Sequence, residues 1–128
     1  MIADFGLAEK LKSPDQKLYR PCGSAGYVSP ELIREQGYNC STDIFSAGVI
    51  FSEMLTGRPL FKGSNPDSIF EKVINMQLDY PQAIWQHISE EALDLVKKML
   101  AEDVNERITA EDALRHDWFT KDFSLNQA

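Results

Sequence analysis

Positive charge is scarce in this sequence. Thirteen Lys and Arg face twenty Asp and Glu, for a net charge of −7, and a chain without a basic face has no footprint for nucleic acid. Apolar runs are short as well: the longest, within residues 44–51, is broken by Ser46 and Gly48, so no stretch could span a bilayer. Neither nucleic acid nor a membrane is therefore expected as a partner. Met1-Ile2-Ala3-Asp4 lacks the basic and apolar regions of a signal peptide, which makes an intracellular, cytoplasmic location the expectation. The two cysteines, Cys22 and Cys40, stand far apart without metal-ligand neighbours and read as free buried thiols rather than a disulfide. His87 and His116 likewise have no ligand partner at useful spacing and read as surface or helix-end residues. No EF-hand loop is present, so the chain offers no basis for inferring calcium control.

What is present is a soluble-domain composition, 43% hydrophobic and 26% charged over 128 residues, enough for one domain with a real core. Its centre is Ser41 to Thr56. Apolar residues at 44, 45, 47, 49, 50, 51, 54 and 55 wrap around most of a helical wheel, the pattern of a buried helix. Ser41 or Thr42 can cap its start and Gly57 stops it. Asp43 enters that buried setting in the first turn, where its carboxylate can accept backbone N–H bonds and meets the favourable end of the helix dipole.

Around this helix the chain reads as mainly α. Residues 1–3 suggest the end of a strand, and Gly6 supplies backbone angles that would strain other residues. Residues 7–28 have no sustained period and form a long loop, the one locally basic part of an acidic chain, through Lys10, Lys12, Lys17 and Arg20. Loops of that length inside a domain are usually functional or disordered. Ser29 and Pro30 open a short helix that Gly37 closes; Asn65 and Pro66 open another to about residue 76. Residues 78–88 read as irregular. Ser89 with Glu90 and Glu91 opens a helix with Leu93, Val96, Met99 and Leu100 as its core face, and Thr109 with Asp112 opens a last one ending near His116.

Asp4-Phe5-Gly6 alone is a weak signal. It is followed at fitting distances by Cys22-Gly23-Ser24-Ala25-Gly26-Tyr27-Val28-Ser29-Pro30-Glu31, by Asp43-Ile44-Phe45-Ser46-Ala47-Gly48, by Arg107-Ile108-Thr109-Ala110 and by His116-Asp117-Trp118-Phe119. This order resembles the carboxy-terminal lobe of a eukaryotic serine/threonine protein kinase, from the Asp-Phe-Gly motif onward, and is most similar to the calcium/calmodulin-dependent and calcium-dependent groups. The implied fold is a truncated part of the kinase-like α+β fold, with residues 1–31 as the Asp-Phe-Gly motif and activation segment, 32–119 as the helical lobe and 120–128 as a tail.

The resemblance assigns roles. Asp4 matches the carboxylate that grips Mg²⁺ beside the phosphates of ATP, and Phe5 and Gly6 complete that cofactor motif. Ser24 stands where the family carries a hydroxyl that touches its catalytic aspartate and lysine. Ala25 and Ser29 depart from the usual Pro and Ala, which loosens the expected surface for the substrate residue after the phosphoacceptor. Glu31 and Arg107 match a buried ion pair, and Asp43 matches a residue that holds the backbone of the catalytic loop. Trp85, Trp118 and Phe119 match packing positions, and Phe45 replaces a usual Trp. Arg20 stands where relatives often carry a phosphorylated threonine, which leaves Ser13 and Tyr19 as the possible phosphorylation sites of the segment.

A complete kinase also needs a Gly-rich loop, a strand lysine paired to a helix glutamate, and a His-Arg-Asp loop with its downstream asparagine. None occurs in these residues. The expectation is a kinase fragment: a full-length parent would move the γ-phosphoryl of Mg·ATP to protein hydroxyls, while this chain alone would bind neither Mg²⁺ nor ATP well and would be inactive. The alternative is a stand-alone, catalytically dead module that binds a protein. The expected partners are the parent's protein substrates and the missing amino-terminal part of the kinase domain. Exposed apolar surface on the central helix, including Phe51 and Met54, would favour self-association.

Overall fold

A glycine in the middle of a helix costs stability unless something needs the space, and Gly48 shows what needs it. In the computed structural model, which describes residues 1–121, Gly48 lies in helix α2 (Ser41–Thr56) where helix α5 (Glu90–Met99) crosses. A Cβ at Gly48 would sit 2.9 Å from the Met99 Cβ and 3.1 Å from a Leu100 methyl, closer than carbon atoms approach. The α2–α5 crossing therefore depends on having no side chain there.

The other helices are α1 (Pro30–Ile33), α3 (Pro66–Ile74), α4 (Gln82–Trp85), α6 (Ala110–Leu114) and α7 (Asp117–Thr120). Phe45 and Val49 of α2, Val73 of α3, Trp85 of α4 and Val96 of α5 meet with Phe61 and Leu100 in one core. Phe45 stacks on Phe61 with ring centres 6.3 Å apart. Phe51 on the flank of α2 packs against Trp118 at 5.5 Å and so brings in α7. Several helix starts are fixed by local chemistry. Asn65 and Ser68 form a reciprocal capping box, and the Ser89 and Thr109 hydroxyls accept the N–H groups of Ala92 and Asp112. Gly57 closes α2 at φ 70°, the left-handed angle glycine adopts without strain.

Other expectations are corrected. No strand forms over residues 1–3, because a strand needs a neighbour's N–H and C=O groups; among the described residues the only bridge is Leu18 to Tyr38. Residues 78–88 are not wholly irregular, since they include α4. Neither Ser41 nor Thr42 caps α2: Cys40 is its first flanking residue, with no side-chain cap bond. The helix is not buried all round. Thr42, Phe45, Gly48, Val49 and Ser52 face inward, whereas Asp43, Ala47, Ile50 and Met54, one stripe along the helix, are exposed. Asp43 thus stands in solvent. Cys22 is half-buried and Cys40 exposed, both as free thiols. Phe119 is also outside the core, at 56% exposure. Of the expected tail, residues 122–128 lie outside the described residues.

One ion pair joins distant parts of the chain. The Arg107 guanidinium, 0% exposed, donates to Glu31 Oε1 at 2.6 Å and to Oε2 at 3.0 Å. Its remaining donors reach the carbonyls of Ala101 at 2.9 Å and Ser41 at 3.0 Å, and it lies 5.2 Å from the centre of the Phe45 ring. A buried ion pair offsets its desolvation only when its hydrogen-bonding capacity is used this fully. Burial alone would push the Glu31 carboxyl up. The hydrogen bonds from Arg107, its own backbone N–H, the Arg107 charge and the Ser29 hydroxyl outweigh that and hold it below its ordinary value.

Two expected outcomes follow. Gly48→Ala should destabilise the chain in urea unfolding: the helix-propensity gain of about 1 kcal/mol is outweighed by an overpacking cost of about 1–3 kcal/mol. Glu31→Gln should cost about 3–5 kcal/mol at pH 7, because Arg107 is left buried and unpaired. Since the folded carboxyl lies below its ordinary value of 4.5, its contribution is full above that pH and disappears as pH falls through the folded value. Unfolding measured from pH 7 to pH 3 should therefore show the gap between wild type and Glu31→Gln closing at the acid end; a constant gap would contradict the ion-pair origin.

Candidate functional site

The segment from Asp4 to Pro30 has little secondary structure of its own, so its placement depends on cross-links to the helices. Leu18 and Tyr38 exchange two backbone hydrogen bonds of 2.7 and 2.8 Å. The Tyr38 hydroxyl donates to the Arg20 carbonyl and lies 3.6 Å from the Cys22 thiol. Burial, reinforced by that thiol, raises the Tyr38 phenol well above its ordinary value. Further on, the Ser46 hydroxyl donates to the Tyr27 carbonyl at 2.6 Å, and the Tyr27 hydroxyl donates to Glu53 at 2.9 Å. The hydrogen bond to Glu53 and its charge raise the Tyr27 phenol. The Ser29 hydroxyl, rather than capping α1, bonds to Thr42 in the interior. The segment is thus tied down along α2 and closed at its far end by Glu31 and Arg107.

These ties enclose a cavity of about 550 Å³, lined among others by Asp4, Phe5, Ser24 and Asp43. Residues from Asp4 to Asp43, nearly forty positions apart in the chain, therefore share one concave surface. Asp4 is exposed and carries φ 64°, a left-handed angle that Asp tolerates better than most residues. Gly6, assigned that conformational role from the sequence, does not take it up, since its φ is not positive, and the turn from Phe5 to Ala8 closes with a 3.0 Å hydrogen bond. Phe5 is 68% exposed and belongs to no core. Ser24 is exposed, with its carbonyl accepting the Tyr27 N–H at 3.2 Å. Ser13 and Tyr19 are both exposed on the segment.

Mg²⁺ requires a near-octahedral set of oxygen ligands. Among the described residues no group of three or more His, Cys, Asp or Glu side chains could hold a metal ion. Asp4 by itself does not meet that requirement. His116 serves structure: its Nδ1 accepts the Trp118 N–H at 3.0 Å and its Nε2 lies 2.6 Å from Asp94. That pairing fixes the proton on Nε2 in the neutral ring. Hydrogen bonds from His116 and Lys98 hold the Asp94 carboxyl below its ordinary value.

Tyr27, Tyr38 and Ser46 were not singled out from sequence, although they hold the segment. Their contacts pair residues 16 to 26 positions apart, across a loop with no period to relate them.

The protein kinase domain family matches residues 1–119. Serine/threonine-protein kinase DCLK1 of Rattus norvegicus is 39% identical over 123 residues, covering 94% of this chain and 28% of the relative. Serine/threonine-protein kinase PEPKR2 of Arabidopsis thaliana is 41% identical over 117 residues, covering 91% and 24%. Serine/threonine-protein kinase DCLK2 of Mus musculus is 37% identical over 125 residues, covering 96% and 16%. The chain thus spans less than a third of the length of each of these relatives. Among the described residues no helix is long and apolar enough to cross a membrane. With a match running from Met1 to Phe119, the chain belongs to the protein kinase domain family.

Proposed function

We propose that these 128 residues are the part of a serine/threonine kinase domain from the Asp-Phe-Gly motif onward, in the calcium/calmodulin-dependent and calcium-dependent range of that family. The longer protein transfers the γ-phosphoryl of Mg·ATP to a protein Ser or Thr hydroxyl inside the cell, and this chain alone does not. The observation that carries the reading is the cavity shared by Asp4, Ser24 and Asp43, closed off by a segment tied to α2 and to Arg107. In such transfer the protein mainly positions groups and neutralises charge. Here Asp4 supplies one metal-binding carboxylate, Ser24 a supporting hydroxyl, and Asp43 an anchor for a catalytic loop that these residues do not include.

The test separates the chain from its parent. With Mg·ATP and a mixture of Ser- and Thr-containing peptides, the 128-residue polypeptide should transfer no more phosphate than its Asp4→Ala variant. Transfer that vanishes in Asp4→Ala would overturn the inactivity. A longer protein that contains this stretch with the strand lysine and His-Arg-Asp loop should transfer phosphate and lose on the order of 10²-fold or more in rate on Asp4→Ala.

The outward stripe of α2 favours a second reading, a module that binds protein. Ile50 and Met54 are 48% and 79% exposed, next to Ala47. In the parent, the amino-terminal part of the domain covers this stripe. Alone, the chain should self-associate through it, and Ile50→Asp with Met54→Lys should return it to a monomer in sedimentation velocity. A wild-type chain that stays monomeric at high micromolar concentration would remove this reading.

A further inference from the structure

A second cavity, of about 360 Å³, opens where the end of α2 meets α3 and α4. Its chemistry differs from that of the Asp4 cavity. Arg58, Lys62 and Lys72 line it against a single carboxylate, Asp79, although the chain as a whole carries −7. Among the described residues none of the three cations has a carboxylate within ion-pair distance, Asp79 included. Lys72 is half-buried, and its ammonium donates only to the Lys62 carbonyl. Arg58 is bonded through its backbone alone, to the Thr56 hydroxyl, so its guanidinium fork is free.

A buried hydroxyl also borders the cavity. Ser52, on the inner face of α2, lines it while only 1% exposed. A hydroxyl can donate to an acceptor held in that space. The rest of the lining joins polar Thr56 and Gln77 to an apolar wall of Leu60, Pro81, Ile84 and the buried Trp85.

Three unpaired cations over one carboxylate leave a surplus of two positive charges. A phosphate monoester carries about −1.5 to −2 at neutral pH and offers three acceptor oxygens, which suits a free guanidinium fork, two ammonium groups and a hydroxyl donor. A lone carboxylate would leave half of that charge unmatched. The size is at the low end for ligand clefts, about 300–1,000 Å³, enough for one phosphorylated side chain and part of a neighbour. The apolar wall would remain wet under free phosphate and is covered if an apolar residue adjoins the phosphate. We propose that this cavity binds a phosphorylated Ser or Thr side chain of a protein segment, with an apolar residue beside it. The site is separate from the Asp4 cavity, and the proposal does not depend on phosphoryl transfer.

The probe is an immobilised peptide library with one fixed phosphoserine and randomised flanking positions, read with the labelled 128-residue chain beside an unphosphorylated copy. Retention should favour the phosphorylated copy by roughly 30-fold or more, with aliphatic or aromatic residues enriched next to the phosphoserine. For the best peptide in solution, Arg58→Ala and Lys72→Ala should each weaken binding about 5- to 10-fold and Ser52→Ala about 3-fold, and raising salt from 50 to 500 mM should weaken it further. Arg58 is exposed and Lys72 half-buried, so both variants should keep the wild-type urea midpoint. Equal retention of the two copies, retention of neither, or affinity unchanged in the Arg58→Ala, Lys72→Ala double variant would overturn the proposal. So would inorganic phosphate competing at concentrations equal to the peptide, which would assign the cavity to a free anion rather than a protein segment.

Discussion

Arg107 is the residue through which the parts of this chain are registered. Its guanidinium makes two bonds to a carboxylate 76 positions away, one to the carbonyl of Ser41 at the start of α2, and one to the carbonyl of Ala101 behind α5. Those partners belong to three separate elements, so the planar fork fixes their mutual positions as well as their attraction. Arg34 adds a weaker, half-exposed tie from the end of α1 to Glu102 in the same loop, at 2.7 Å. Without the pair, α1 would be attached to the body mainly through its contacts with α3, and the segment before it would lose its fixed end. The shape of the Asp4 cavity is therefore downstream of a contact that does not touch it.

The second constraint is the division of α2 into two faces. On the inner face Phe45, Gly48, Val49 and Ser52 meet the core and α5, with Gly48 setting how close the helices come. On the outer face Asp43, Ala47, Ile50 and Met54 meet solvent. The outer stripe is apolar at Ala47, Ile50 and Met54 and uncovered among the described residues. The all-round apolar pattern thus overstated the burial, since only the inner face is covered among the described residues.

Local signals carried the parts of the fold that are decided locally. Asn65, Ser89, Thr109 and Gly57 act within four residues of themselves, and each works as its type suggests. Features decided by distant neighbours were not legible. Gly48 looked like a break in an apolar run until Met99 and Leu100 were beside it. Ser29 had the sequence position of a cap, yet the Thr42 hydroxyl gives it a buried partner that a cap bond would forgo. Helix α4 is too short for periodicity to reveal. Phe119 and Phe5 are exposed because nothing among the described residues covers them. In the candidate site the motif residues could be named from the chain, but Tyr27, Tyr38 and Ser46, which hold the segment, could not.

The two cavities lie toward opposite ends of α2. Asp43 and Ser46 border the first; Ser52 and Thr56 border the second. Along the helix the far edges, Asp43 and Thr56, are about 20 Å apart at 1.5 Å per residue, while the near edges, Ser46 and Ser52, are about 9 Å apart, close to the screening length of roughly 8 Å at physiological salt. Direct charge coupling between ligands in the two is therefore largely screened except at the near edges. Coupling through motion would need α2 to shift, and its inner face leaves little room, since Phe45 and Val49 are fully buried and Gly48 is already at contact distance from α5. A close-packed interior resists such displacement. The helix acts as a fixed beam carrying two chemically different sites, one acidic and formed largely by a loop, the other basic and formed by residues of α2, α3 and α4 and the loops between them. Occupancy of the basic cavity would thus determine where a partner rests on the chain rather than alter the geometry around Asp4.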